Sequence, residues 1–299
     1  MAKKPKPDVY QRVTDRIIEL LEKGVVPWQN PVTSTMELPK NFSTGKAYRG
    51  INVFLLASMR YASPWWLTYK QAQELGGQVR KGEKGAFVVK FGTYTKENPE
   101  AKRKEDQEET RFFLKHYIVF NAAQIDGINF PSPAPMPEKE QAQQSEDAEA
   151  IIAGMPNPPK HFEGRKAIPC YNKLFDQVDM PDRRLFSSIA EFYLAFFHEL
   201  THATGHEKRL ARKTLIDNKG MAATGEARKT YSEEELVAEM GAAFLLAHAG
   251  ILHDNHESSA SYLQGWLKVL KAKENKRWIV KAAAQAQKAS DYILNAPPA

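Results

Sequence analysis

The sequence predicts an α+β protein of two domains, the first of mixed α/β character and the second mainly helical. Three features carry that expectation. The 299 residues suit about two domains at roughly 100–200 residues each. Strand-like runs gather in the first half, and a proline-rich, polar tract separates that half from a remainder patterned mostly as helices. Boundaries follow at 1–130 and 150–299, with residues 131–149 as a linker.

Val9, Val13, Ile17, Leu20 and Leu21 recur at helical spacing and Gly24 follows as a stop, so Asp8 to Lys23 reads as an amphipathic helix. Ile51 to Met59 reads as a second, internal helix. Thr68-Tyr69-Lys70-Gln71 has capping-box spacing and opens a short third helix that ends at Gly76-Gly77. The period then changes. Ala86 to Phe91 and Phe112 to Phe120 are rich in β-branched and aromatic residues and read as strands. They should pair antiparallel across Lys96 to Thr110, a charged stretch expected to form a long exposed hairpin loop.

Between Pro131 and Pro137 every second residue is proline, which favours an extended spacer, and Glu138 to Glu149 shows no apolar period. Both are expected to lie outside regular structure. Beyond them a short strand is expected at Lys166 to Tyr171. Ser188-Ile189-Ala190-Glu191 is a capping box that introduces a helix through Thr204, stopped by Gly205. Further helices are expected from about Ser232 to Ala249, Ser259 to Ala272 and Lys276 to Leu294.

Composition narrows the function classes. A 42% hydrophobic and 26% charged chain with 17 Gly and 18 Pro is neither collagen-like nor wholly disordered. No stretch approaches the roughly 18 consecutive apolar residues of a membrane helix, and the basic start lacks a signal-peptide core. A cytoplasmic protein with no membrane partner is therefore expected. Cys170 is the single cysteine, so no internal disulfide and no cysteine-type zinc site can form. Any metal must be held by His and carboxylates. Residues 1–125 carry 21 Lys+Arg against 13 Asp+Glu, leaving 21 and 23 for the rest: +8 and −2 of the total +6. A basic half joined to a near-neutral half points to a polyanionic partner for one domain; a merely solvated surface is the alternative.

The sharpest chemical signal is His198-Glu199-Leu200-Thr201-His202. Two imidazoles four residues apart on a helix project from one face and can reach a single cation, for which zinc is best suited. Glu199, beside the first ligand, is placed to act as general base on water. Core histidines with satisfied hydrogen bonds are the plainer reading. A hydrolytic site also needs a third ligand. Glu235-Leu236-Val237-Ala238-Glu239 offers two carboxylates on one helix face. By resemblance to zincins of the glutamate type, Glu235 is the ligand and Glu239 orients a ligand imidazole. Against this, Ser232-Glu233-Glu234-Glu235 is itself a capping box in which Glu235 would only reach back to Ser232. The metzincin pattern fails, because Lys208 stands where its third His belongs; His206 then ends the helix or lines the cleft. Tyr231 is a candidate donor to an oxyanion.

In the first half three clusters join cations to aromatic rings: Lys46, Tyr48, Arg49 and Asn52; Trp65, Trp66, Tyr69 and Lys70; Arg80, Lys81 and Lys84. Single-stranded nucleic acid is held in this way, by cations tracking phosphates and rings stacking bases. Core tryptophans and a solvated basic turn would give the same pattern.

The sequence resembles the ArdC-type antirestriction proteins of conjugative plasmids, whose N-terminal domain is shared with conjugative primases. The carrying segments are Tyr48 to Val53, Trp66 to Ala72, Leu75 to Gly85 and Val119 to Gln124, then His198 to His206 with Arg209-Leu210, and Glu234 to Glu239. The resemblance implies a single-stranded-DNA-binding domain joined to a zincin-like metallopeptidase domain, protecting incoming plasmid DNA from host restriction. Zinc is the expected metal, with manganese as the alternative. Two alternatives stand beside this: a non-catalytic DNA-binding protein whose metal only staples the fold, and a protease, activated by single strands, that acts on DNA-bound host proteins. A primase accessory is disfavoured, since no nucleotide-polymerising motif is recognisable.

Overall fold

The computed structural model describes residues 8–29, 31–32, 37–97, 108–132, 141–217, 226–251 and 260–297. The first region contains α1 (Val9–Glu22), β1 (Lys40–Asn41), α2 (Ile51–Ala57), β2 (Trp65–Thr68), α3 (Tyr69–Glu74), β3 (Gln78–Val79), β4 (Ala86–Glu97), β5 (Glu108–Asn121) and β6 (Ile125–Asp126). Asp8 caps α1 by accepting from the Tyr10 amide at 2.6 Å, and the stripe of Val13, Ile17, Leu20 and Leu21 is buried. Thr68 and Gln71 close the capping box of α3. One sheet has the order β1-β2-β5-β4, with β1 and β2 parallel and the other pairs antiparallel. β3 and β6 form a separate two-stranded ribbon.

The second region contains α4 (Gln141–Gly154), β7 (Lys160–Glu163), β8 (Cys170–Asn172), β9 (Gln177–Met180), α5 (Ile189–Thr204), α6 (Lys213–Ile216), α7 (Glu226–Ala249), α8 (Ala260–Leu270) and α9 (Trp278–Ile293). Its small sheet runs β7-β9-β8, leaving β8 on an edge. The architecture is thus a mixed α/β first region and a mainly helical second one.

Several expectations are corrected. Pairing of β4 with β5 persists out to Glu97 opposite Glu108, so strand takes up both ends of the charged stretch; residues 98–107 lie outside the described residues. The tract from Gln141 is helical. Its Gln, Glu and Ala are good helix formers, and Ala148 and Ile152, four residues apart, are buried against α5 and α7. Residues 133–140, with most of the proline run, lie outside the described residues. The strand expected from Lys166 begins only at Cys170, and the Lys166 ammonium ion-pairs with Asp179 at 3.1 Å. At the start of α5, Ser188 accepts from the Glu191 amide, but the Glu191 carboxylate bonds Ser187 instead, through its amide at 3.1 Å and its hydroxyl at 2.5 Å. Most consequentially, α7 begins at Glu226, which puts Ser232 inside the helix and removes the capping role from Glu235.

α7 is the central rod. A helix apolar on all sides belongs inside a core, and from Leu236 to Leu246 this one is almost wholly buried. One flank (Leu236, Val237, Met240, Ala243, Phe244) shares a core with α1, α2, α8 and α9, where Phe54 of α2 stacks on Phe244 at 4.8 Å. The other flank (Ala242, Leu245, Leu246, Ala249) shares a second core with α4 and α5. Gly241 sets the approach of α7 to α5, because a Cβ there would stand 2.5 Å from the Thr201 side chain. Thr201 lies between the two histidines, so this close contact also fixes where their helix meets α7.

Candidate metal centre

His198 and His202 lie one turn apart on α5, and the close contact at Gly241 brings α7 beneath them. Their Nε2 atoms are 3.1 Å apart. Glu235 of α7 reaches both, with one carboxylate oxygen 3.5 Å from His198 Nε2 and the other 3.6 Å from His202 Nε2. One ligand atom from each of the three residues lies within 4.8 Å of the others. Two nitrogens bound at ~2.0–2.1 Å to one tetrahedral ion stand ~3.4 Å apart. The observed spacing therefore fits a single divalent cation.

Behind this trio is a second layer the sequence did not reveal. His202 Nδ1 is 3.0 Å from Oε1 of Glu234, a carboxylate with no exposed surface. Arg212 donates to the same carboxylate from Nε at 2.9 Å and Nη2 at 2.6 Å, and Thr214 donates its hydroxyl at 2.5 Å. An imidazole that donates from Nδ1 keeps the Nε2 lone pair free for a metal. Burial alone would raise the Glu234 carboxyl, yet the hydrogen bonds and charges of Arg212 and His202 hold it down to about 2. Burial opposes a charged His202, but Glu234, Glu235 and Glu199 outweigh it and raise its pKa. The same negative field favours a cation at Nε2. Burial also opposes a charged Glu235, whose carboxyl His198 and His202 nonetheless keep below the usual carboxylate range.

Glu239 corrects an expectation. It touches neither Nδ1 of the pair; its Oε2 accepts from Trp28 Nε1 at 2.7 Å and from the Tyr262 hydroxyl, and burial pushes its carboxyl up. Glu234 takes the supporting position instead. It was hidden because a helix starting at Ser232 makes the acidic run look like a cap. An arginine just past the end of the histidine helix was the available hint of a buried acid.

Glu199 is buried beside His198, and its Oε2 accepts the Tyr171 amide of edge strand β8 at 2.6 Å. Arg209 ties that strand to α5: it donates to the Ala203 carbonyl at 2.6 Å and to the Tyr171 hydroxyl at 3.2 Å, and pairs with Asp176, which accepts from the same hydroxyl at 2.8 Å. A cavity of about 470 Å³ opens against Glu199, lined also by Pro169, Phe186, Leu194 and His198. His206 follows the C-cap Gly205 and accepts the Lys208 amide at 3.2 Å, so it ends the helix. Tyr231 belongs to α7, but its side chain lies outside the described residues.

The basic, aromatic residues of the first region divide by role. Trp66 is 1% exposed, packed with Leu56, Val88 and Val119, and is no stacking platform. Consecutive strand residues face opposite ways, so Trp65 emerges on the other face, edge-on to Phe42 at 5.4 Å, with the Lys40 ammonium 5.5 Å above its ring. Phe130 extends this row at 4.8 Å from Phe42. Phe42, Phe130 and Lys40 were not anticipated. Asn52 is also corrected: both ends of its amide bond the Val89 backbone at 2.8 Å. Arg49 pairs with Asp291, and Tyr48 is half-buried between two cores. Arg80 braces its turn through Glu83 at 2.9 Å and Asp126 at 3.2 Å. Lys46, Tyr69, Lys70, Lys81 and Lys84 are exposed.

A helix-borne histidine pair completed from a second helix is the arrangement of zincin-like metallopeptidases, and the family so described matches residues 146–285. Residues 7–120 match the N-terminal domain of anti-restriction factor ArdC. The metal-free crystal structure of the antirestriction ArdC protein from plasmid R388 is similar, with a TM-score of 0.72 and 38% identity over 98% of this chain and 100% of that one. The Mn(II)-bound structure of that protein gives a TM-score of 0.70 at 38% identity, over 97% of this chain and 98% of its own. This chain belongs to the ArdC family of antirestriction proteins. The DNA primase TraC of Escherichia coli is 35% identical over 98% of this chain, which spans only 28% of the length of TraC. Among the described residues no helix is long and apolar enough to cross a membrane.

Proposed function

We propose that the protein binds single-stranded DNA through its first region and shields incoming conjugative plasmid DNA from host restriction, and that its second region is a divalent-metal peptidase. The observation that carries the peptidase reading is the meeting of His198, His202 and Glu235 beside a separately held Glu199. The first three hold the cation, and the Mn(II)-bound relative supports manganese as readily as zinc. When bound, such a cation supplies Lewis acidity toward a peptide carbonyl and water. Glu199, aligned by the Tyr171 amide, takes the proton of the attacking water and hands it to the departing amine. The substrate class is protein, with a DNA-bound host protein as the natural target.

Glu199→Gln tests this. Proteolysis of an unfolded protein substrate is expected to fall at least about a hundredfold, while Mn²⁺ still binds, more weakly for the loss of one carboxylate from the surrounding field, and the melting temperature stays at the parental value. Full protection of a conjugating plasmid by Glu199→Gln, together with loss of protection in His202→Ala, would assign the metal to holding the fold and remove hydrolysis from antirestriction.

For DNA, the Trp65–Phe42–Phe130 row and the exposed lysines support single strands over duplex, because unstacked bases can lie on the rings. Trp65→Ala is expected to weaken oligonucleotide binding by about 1–3 kcal/mol without changing the slope of log affinity against log salt. Lys81→Ala should instead lessen that slope by about 0.7, the contribution of one neutralised phosphate. Fluorescence anisotropy across a salt series reads both, and equal affinity for duplex and single strand refutes stacking.

A further inference from the structure

We infer that a second cavity beside His198 is a specificity pocket for a lysine or arginine side chain of the peptide substrate, with Glu239 as its anionic floor. This rests on the peptidase reading. Leu194 and His198, one turn apart on α5, line both cavities of the site. One is the space at Glu199; the other, about 260 Å³, is completed by Trp28, Gln29, Glu239, Ala243 and Tyr262. Pockets that enclose a whole small ligand occupy ~300–1,000 Å³, so this one suits a single side chain. Leu194, Ala243 and the rings of Trp28 and Tyr262 offer a lining for an alkyl stem, and the rings attract a cation at its tip.

The chemistry of Glu239 sets the sign of the ligand. Trp28 and Tyr262 both donate to Oε2. Among the described residues no hydrogen bond reaches Oε1 and no Lys or Arg pairs with the carboxylate. A carboxylate at the floor of an apolar pocket is costly until a cation joins it. Burial works against the charged form of Glu239, and an ammonium or guanidinium seated beside it would restore that form. Trp28 comes from the first region, so both halves of the chain build this pocket.

The test titrates the full-length, Mn²⁺-loaded protein calorimetrically with Nα-acetyl-lysine amide and with Nα-acetyl-norleucine amide, which has an alkyl side chain and no charge. The lysine probe is expected to bind at least tenfold more tightly, and Glu239→Gln should bring the two within twofold. Equal binding, tighter binding of norleucine, or a lysine preference that survives in Glu239→Gln overturns the inference. The comparison in the parental protein decides the matter even if the variant does not fold. Cleavage of a mixed peptide library is followed separately. Lysine-selective binding with no cleavage keeps the pocket and discards the peptidase, whereas cleavage indifferent to basic residues keeps the peptidase and discards the pocket.

Discussion

Arg212→Met is expected to cost about 3–5 kcal/mol of folding stability and to weaken binding of the divalent cation about 10–100-fold. Arg212 is the guanidinium that neutralises Glu234, a carboxylate without solvent contact, and it also donates to the Thr204 hydroxyl at 2.9 Å and the Thr201 carbonyl at 2.8 Å. Gly205 leaves room for it, since a Cβ there would lie 2.9 Å from Nη2. Without Arg212 a buried negative charge has only His202 and Thr214 for company. The imidazole would then be held as a cation, with its Nε2 lone pair lost to a proton. Urea unfolding with a chelator present reads the first effect, and Mn²⁺ titration reads the second. Adding Glu234→Leu should recover stability but not metal affinity, because it removes the orphaned charge together with the acceptor that orients His202. A change within about 0.5 kcal/mol for Arg212→Met would mean the network is not the support described here.

Trp66→Ala is expected to destabilise the protein by about 3–5 kcal/mol through the cavity it leaves, an effect that must not be mistaken for lost DNA contact. The ring meets Tyr61 edge-on at 5.5 Å inside the core under the four-stranded sheet. Its Nε1 is buried with no hydrogen-bond partner among the described residues, so Trp66→Phe should be far milder, since it removes that donor as well as volume. Thermal denaturation separates these variants from Trp65→Ala, which should melt close to the parental protein. Parental stability in Trp66→Ala, combined with loss of oligonucleotide binding, would return Trp66 to the DNA surface.

What the sequence made legible follows physical rules. The histidine pair could be read because a spacing of four on a helix leaves one geometric outcome. Glu235 could be read only as one of two carboxylates on a face, since nothing in the sequence says where its helix begins. That boundary decided much: moving it from Ser232 to Glu226 turned a supposed cap into a ligand position and brought Glu234 under His202. The two tryptophans failed for a related reason. As members of an aromatic cluster they look alike, and only their place on adjacent positions of a strand sends one inward and one outward. The helix at Gln141 was missed because its apolar residues are mostly alanines crowded at one end, enough once α5 and α7 are there to bury Ala148 and Ile152, yet too little to mark a period.

The shared ownership of α7 has a consequence for how such a chain can be inherited. One flank of this rod is sealed by α1 and α2 of the first region together with α8 and α9, and the other by α4 and α5, so separating the regions would uncover part of the first flank. A graft of the first region alone would leave Phe54 without its ring partner, and a graft of the second alone would bare the side of α7 that α1 and α2 cover. The likeness to TraC takes in 98% of this chain, both regions together, inside a much longer protein.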